Sequence, residues 1–323
     1  MKRKVGMVLV LLLMIAGNLY ATETRTNIMY LFNTSSKYFP ESARIEGLGR
    51  CFAAIADDPN AVKYNPAGLT QIESRQMLIN YNSVPRELLY IFAKKNYGWG
   101  FVYGNNEDLS LISIETRTYT ETSSYYEYNN IGFVPTRIQN IYATFSFAWP
   151  IQKLSIGLDL RVGVDCIEFF SDTDTTTNFL SSTTEYDVSF GAGLGFLYDL
   201  DRLKIGFYAP SLYNTHFGSG GLGFYDPRLG VSYRFGDNTN KFLCSLEIPL
   251  GRWYNLDFEG DCGLEYSYKD KLLLRAGFAL WTWYPYFFFL SFGAGYHWDN
   301  WGIDYACANY SHKISILYKL NIK

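Results

Sequence analysis

The chain has 323 residues, 31 acidic against 28 basic side chains and a formal net charge of −3, so its electrostatics give no reason to expect nucleic acid as a partner. Aromatic residues make up 18%, Tyr alone counting 28, yet beyond the N-terminal apolar run no stretch reaches the roughly eighteen apolar residues a spanning helix needs. A helical membrane protein is excluded and a membrane barrel is not.

Lys2, Arg3 and Lys4 precede an apolar run from Val5 to Gly17, followed by Asn18, Leu19, Tyr20 and Ala21. This order predicts a secretory signal peptide over residues 1–21, too short to span a bilayer. Cleavage is expected after Ala21, with Ala16 or Gly17 as alternatives. Losing the three cations takes the formal charge from −3 to −6. No cysteine follows the apolar run closely, so no lipid anchor is expected.

Residues 42–72 are rich in small side chains and do not alternate. Cys51-Phe52-Ala53-Ala54-Ile55-Ala56 leads into Asp57-Asp58-Pro59-Asn60-Ala61 and Tyr64-Asn65-Pro66-Ala67-Gly68-Leu69. Asp58 suits an N-cap and Pro59 the first helical position, while Asn65, Pro66 and Gly68 are expected to end the helix after little more than one turn.

From about residue 140 onward, segment after segment alternates apolar with polar or small residues. Leu154, Ile156, Leu158, Leu160, Val162 and Val164 fall on one face, with Ser155, Gly157, Asp159, Arg161, Gly163 and Asp165 on the other. Leu256, Phe258, Cys262, Leu264, Tyr266 and Tyr268 likewise oppose Asp257, Glu259, Asp261, Gly263 and Glu265. No helix sorts residues this way. Such lengths suit tilted membrane strands better than the shorter strands of a soluble sandwich. Fifteen candidate strands fall between residues 76 and 322. Because single-chain barrels normally have an even number, one of the early candidates (76–83, 86–95, 98–104 and 108–118) is expected to belong to the plug or merge with its neighbour, leaving fourteen.

Short connections near 150–152, 199–201, 236–239, 269–271 and 299 alternate with connections near 119–138, 167–185, 210–225, 250–252, 282–286 and 311. The second set contains all the long ones, as expected for external loops opposite short periplasmic turns. Trp149, Trp253, Trp281, Trp283, Trp298 and Trp301 fall at strand ends, where an aromatic girdle meets the headgroups. On this phase Asp257, Glu259, Asp261 and Glu265 face the lumen from one strand and Arg275 from the next. Glu265 and Arg275 are expected to oppose each other, mainly as a structural ion pair with a polar gate as the alternative.

The five cysteines and three histidines are scattered, leaving room for a single disulfide but no metal site and no cofactor. There is no G-x-S-x-G elbow, no H-E-x-x-H and no Walker lysine after the Gly218–Gly223 run, so an enzyme is not expected.

The A-D-D-P order from Ala56 to Pro59, followed by Asn65-Pro66-Ala67-Gly68-Leu69, resembles the N-terminal signature of the FadL/PorV superfamily of outer-membrane barrels. Leu274-Arg275-Ala276-Gly277-Phe278, Asp304-Tyr305-Ala306 and His312-Lys313-Ile314-Ser315 resemble closing strands of its PorV/PorQ (UPF0164-like) branch. The resemblance spans about residues 42–322, the middle in pattern only. It implies an all-β fold: a 14-stranded antiparallel transmembrane β-barrel over 76–323, with an N-terminal hatch or plug over 22–75 in the lumen. Asp57, Asp58, Pro59, Asn65, Pro66, Ala67 and Gly68 would then be hatch and gating residues. Two functions are compatible: passive uptake of hydrophobic small molecules, or an accessory barrel that binds secretion-system proteins through external loops such as 119–138 and 167–185. Outer-membrane lipids and the barrel-assembly machinery are the other expected partners. Tyr318 is the aromatic available near the end for assembly recognition.

Overall fold

The computed structural model describes residues 42–83, 86–120, 123–171, 181–216, 219–225, 227–250, 259–281, 287–308 and 311–320. The expected signal peptide, Asp257, Trp253 and Trp283 lie outside them. Fifteen strand segments follow one another: β1 (Arg75–Asn82), β2 (Arg86–Lys94), β3 (Tyr97–Thr120), β4 (Ser123–Ile151), β5 (Leu154–Ser171), β6 (Ser181–Leu200), β7 (Leu203–His216), β8 (Ser219–Tyr225), β9 (Arg228–Gly236), β10 (Asn240–Pro249), β11 (Glu259–Tyr268), β12 (Leu272–Trp281), β13 (Phe287–Trp298), β14 (Trp301–Ala308) and β15 (Ser311–Leu320).

Neighbours in sequence pair antiparallel, and β1 closes the ring onto β15 from Arg75↔Leu320 to Asn82↔Lys313. Segments β8 and β9 run one after the other along β7, with Tyr225 opposite Ser211 and Arg228 opposite Tyr208. Together they occupy one place in the wall, and the closed barrel has fourteen strands. The expected merger is found in β3, which takes in both 98–104 and 108–118.

One end of the barrel carries six tight turns, joining β2 to β3, β4 to β5, β6 to β7, β9 to β10, β11 to β12 and β13 to β14. Asn96, Gln152, Asp201, Lys269, Asp270 and Asp299 adopt positive φ there, which matches the turn to the right-handed twist of the flanking strands. At the other end the described residues of the expected long loops 119–138 and 167–185 are strand. β3 and β4 stay paired out to Thr120↔Ser123, and β5 and β6 out to Ser171↔Ser181. Ladder pairing satisfies the backbone groups that a polar composition alone reads as loop. At about 3.3 Å per residue and a tilt near 40°, ten residues rise about 25 Å, the height of a membrane band. The 29 residues of β4 rise more than twice as far.

The alternation puts large apolar side chains on the outside. Ile79, Phe145, Phe147, Trp149, Leu274, Ile314 and Ile316 are exposed, while Asn80, Ser146, Asp159, Arg275 and Ser315 are buried inside. A surface apolar without and polar within suits lipid as its surroundings. Trp149 and Trp301 stand on it near the short turns, joined by Trp99.

Ser42–Ile72 lies inside the ring as α1 (Ala43–Gly47), α2 (Ala61–Tyr64) and a 3-10 helix (Pro66–Gln71). Helices this short survive by packing. Ile45, Leu48, Phe52, Ile55, Val62, Leu69 and Ile72 form a buried core with Leu89, Ile91, Val102 and Tyr142 of the wall. Two sequence expectations are corrected here. α2 starts after Asn60, not at Pro59, because the Asp58 carboxylate accepts the Asn60 backbone N–H (2.8 Å) and Nδ2 (2.7 Å) and closes a local turn ahead of the helix. Asn65-Pro66 also begins a second helix: Asn65 Oδ1 accepts the Ala67 N–H at 3.2 Å, with Pro66 in the first turn.

Candidate functional site

Contact between the lumenal segment and the wall begins with glycine. Gly49 has φ +60°, and a Cβ on it would press on the Cys262 carbonyl and the Phe278 N–H. Facing it, a Cβ on Gly277 would overlap the Gly49 backbone nitrogen, so both positions must lack a side chain. Gly157 meets the Ala67 backbone and Gly206 the Ala53 backbone in the same way, and Gly195 makes room for the Asn65 side chain. Some glycines of the polar faces thus mark where one backbone lies against another, while others make room for a side chain, as Gly163 does for the Tyr142 ring.

Between these contacts the wall binds the segment's backbone. Glu247 Oε2 accepts the N–H groups of Phe52 (2.8 Å) and Ala53 (2.7 Å). Ser146 donates to the Val62 carbonyl at 2.6 Å and Ser232 to the Ala54 carbonyl at 3.1 Å. Asn80 and Ser315 both accept from Ala43 N. Asn65 Nδ2 donates to the carbonyls of Ala53 (2.7 Å) and Phe196 (3.1 Å). Lys313 pairs with Glu46, and Lys204 donates to Gln71. Net stabilisation per bond is modest, yet each leaves a buried group unsatisfied if broken.

A charge network fastens α1. Arg44 grips Glu265 with Nε (3.1 Å) and Nη2 (3.2 Å), and its Nη1 reaches Asp57 (2.6 Å) and Asp58 (2.8 Å). Behind Glu265, Arg275 donates from Nε to its carboxylate at 2.6 Å and from Nη1 to Asp304 at 2.6 Å, while His297 lies 3.2 Å from Asp304. Arg234 pairs with Asp57. Burial alone would raise Asp57, but Arg44 and Arg234 together hold it well below the usual carboxylate range. Burial pushes Asp58 up and Asp57 adds to the rise, against the pull of Arg44. On α2, burial brings Lys63 down to about 7, against the opposing fields of Glu87 and Asp159.

Of the residues singled out in the sequence, Asp57, Asp58, Asn65, Pro66, Ala67 and Gly68 lie buried or nearly so within this assembly, beside Pro59. Glu265 and Arg275 are directly opposed, and Asp261 faces the lumen 3.7 Å from Arg228. Glu259 opens β11 opposite Trp281, its side chain outside the described residues, as is all of Asp257. Sequence reasoning missed Arg44, Lys63, Asn80, Glu247 and Asp304. Asn80, Glu247 and Asp304 share the inward phase of their strands, and that phase was the signal available.

Next to α1, toward the short-turn end, a cavity of about 650 Å³ is lined by Ser42, Asn60, Leu78, Leu243, Ser267 and Leu273 together with Arg44, Glu265 and Arg275 of the charge network. All five cysteines are free thiols, and no group of three metal-binding side chains occurs among the described residues.

No family model and no curated protein matches this sequence. Solved structures do. The toluene transporter TbuX of Ralstonia pickettii superposes with a TM-score of 0.57 at 13% identity, over 88% of this chain and 100% of that one. The P. putida toluene transporter TodX gives 0.54 at 12% over the same shares, and a Pseudomonas aeruginosa FadL homologue 0.53 at 13% over 88% and 99%. At such identities the likeness is one of fold, and it makes this chain a closed fourteen-stranded barrel of the same build as those transporters.

Proposed function

We propose that this barrel sits in the outer membrane after export by its signal peptide and lets small apolar molecules cross passively, with the segment over 22–75 as a hatch. The carrying observation is the fold shared with toluene transporters over 88% of the chain. No covalent chemistry is required. Burial of apolar surface, at roughly 25 cal/mol per Å², would hold the solute.

Hydrogen bonds from most of the wall's strands hold the hatch, which favours release through the wall over displacement of the whole plug. One stretch of wall is suited to this. Pro210 on β7, Pro227 between β8 and β9, and Pro249 on β10 lie within two residues of the Tyr208↔Arg228↔Pro249 row. Each proline removes a ladder donor. The β6–β7 register also shifts between Ala192 and Leu194.

The test is uptake of labelled toluene by cells whose own apolar-solute channels are deleted. Expression of this chain should restore uptake, and Asn65→Gly or Pro66→Gly in correctly assembled barrels should alter it. Unchanged uptake with and without the chain would end the transport reading.

The second reading, an accessory barrel that binds secretion-system proteins, draws support from the height of β3 to β6, 24, 29, 18 and 20 residues long. Strands that stand beyond the membrane offer a wall for a partner. Co-purification of secreted proteins, lost on trimming the β3–β4 hairpin, would establish it.

A further inference from the structure

Charge is unevenly spread around the short-turn rim. The turns joining β6 to β7, β9 to β10, β11 to β12 and β13 to β14 hold Asp199, Asp201, Asp237, Asp270 and Asp299 among their cations. The arc from β2 to β5 holds Lys94, Lys95 and Lys153, and its two turns, Lys95-Asn96 and Gln152-Lys153, contain no carboxylate of their own; Asp199, whose N–H donates to the Lys153 carbonyl, is paired with Lys204, and Glu73 stands just ahead of β1.

Directly above this arc lies a dense part of the aromatic belt. Tyr97, Trp99, Phe147 and Trp149 are exposed on the outer face, and Phe92 and Trp99 stack at 6.1 Å. The two hairpins are tied together, since Ala148 N donates to the Asn96 carbonyl at 2.8 Å and Tyr97 pairs with Phe147. Lys94 is on the outward phase of β2, and its Nζ sits 4.2 Å from the Tyr97 ring centroid. That cation–π contact holds an ammonium at the edge of the apolar band, where lipid headgroups lie.

We propose that the Lys94–Lys95–Lys153 arc is a binding site for an anionic phospholipid of the periplasmic leaflet, its phosphate on the lysines and its acyl chains along Phe92, Trp99 and Trp149. A zwitterionic lipid brings its own cation to the same level and gains less from an arc in which cations outnumber carboxylates. Each lysine near a charged lipid surface contributes about 1 kcal/mol, or about fivefold in retention. The inference rests on the membrane placement of the wall and not on what the barrel conducts, so its failure leaves the transport reading standing.

Native mass spectrometry of the full chain, in mild detergent with equal phosphatidylglycerol and phosphatidylethanolamine, tests it. The wild-type barrel should retain phosphatidylglycerol preferentially. Lys94→Gln/Lys95→Gln/Lys153→Gln should lose the preference, and Lys269→Gln/Lys271→Gln on the far side of the same rim should keep it. Equal retention of the two lipids by the wild type, or a preference that follows Lys269 and Lys271 on the far side of the rim, overturns the proposal. So does displacement of the lipid by inorganic phosphate at equal concentration, which would make the arc a site for any phosphate.

Discussion

Glu265 and Arg275 stand directly opposite each other on β11 and β12, 2.6 Å apart, and the same carboxylate also receives Arg44 from the lumenal segment. One wall ion pair is thereby turned into an anchor for α1. Arg44→Met removes a cation shared by three carboxylates, of which Glu265 keeps Arg275, Asp57 keeps Arg234 and Asp58 loses its ion-pair partner, and removal of one partner from such a network costs about 3–5 kcal/mol. The folded-to-unfolded gel shift on heating should move to lower temperature. Adding Glu265→Gln to Arg44→Met should cost less than the two single changes summed, and simple additivity would deny the coupling.

Close backbone approach makes a second expectation. Gly277→Ala forces a methyl into the Gly49 backbone and should destabilise by about 1–3 kcal/mol. Gly100→Ala, whose new methyl would have no neighbour nearer than 3.6 Å, is the control and should change little. Urea midpoints in detergent compare the two, and equal effects would refute the fit described for Gly49 and Gly277.

Asn65 joins three pieces of backbone, at Ala53, Phe196 and Ala67. Asn65→Ala leaves buried carbonyls without donors and should cost about 1–3 kcal/mol. Asn65→Asp keeps the acceptor toward Ala67 but loses both donors, so it should be no milder. A well-tolerated Asp would mean that the two donor bonds contribute little.

Lys63 gives the clearest pH dependence. Its folded value near 7 lies below its ordinary 10.5, because burial disfavours the ammonium. Between those values the unfolded chain binds more protons, so stability rises with pH from about 7 to about 10.5 and the penalty is fully present below 7. Lys63→Met should remove that slope. Parallel curves of urea midpoint against pH for the two proteins would contradict it.

Much of the architecture was legible because a strand's side-chain period is two. Leu154 to Asp165 sorts onto two faces whatever the rest of the chain does, and the opposition of Glu265 to Arg275 follows from that phase and a short turn. The long hairpins were misread because polar composition in 119–138 resembles a loop, while ladder pairing is a property of two segments. The start of α2 was misplaced because Asp58 spends its carboxylate on Asn60 and Arg44, and Arg44 is fourteen residues away in sequence.

By itself, then, the sequence determined the strand period, an apolar outer face, turns at one end and a non-alternating segment from Ser42 to Ile72. Only the tertiary structure decided that β1 closes on β15, that β8 and β9 share one place in the wall, and that Arg44, Glu247 and Asn80 fasten the segment inside. The difference is physical. Alternation and turn chemistry act between neighbours in the chain, whereas closure and the lumenal bonds join groups such as Ala43 and Ser315, 272 residues apart, which meet only once the ring exists.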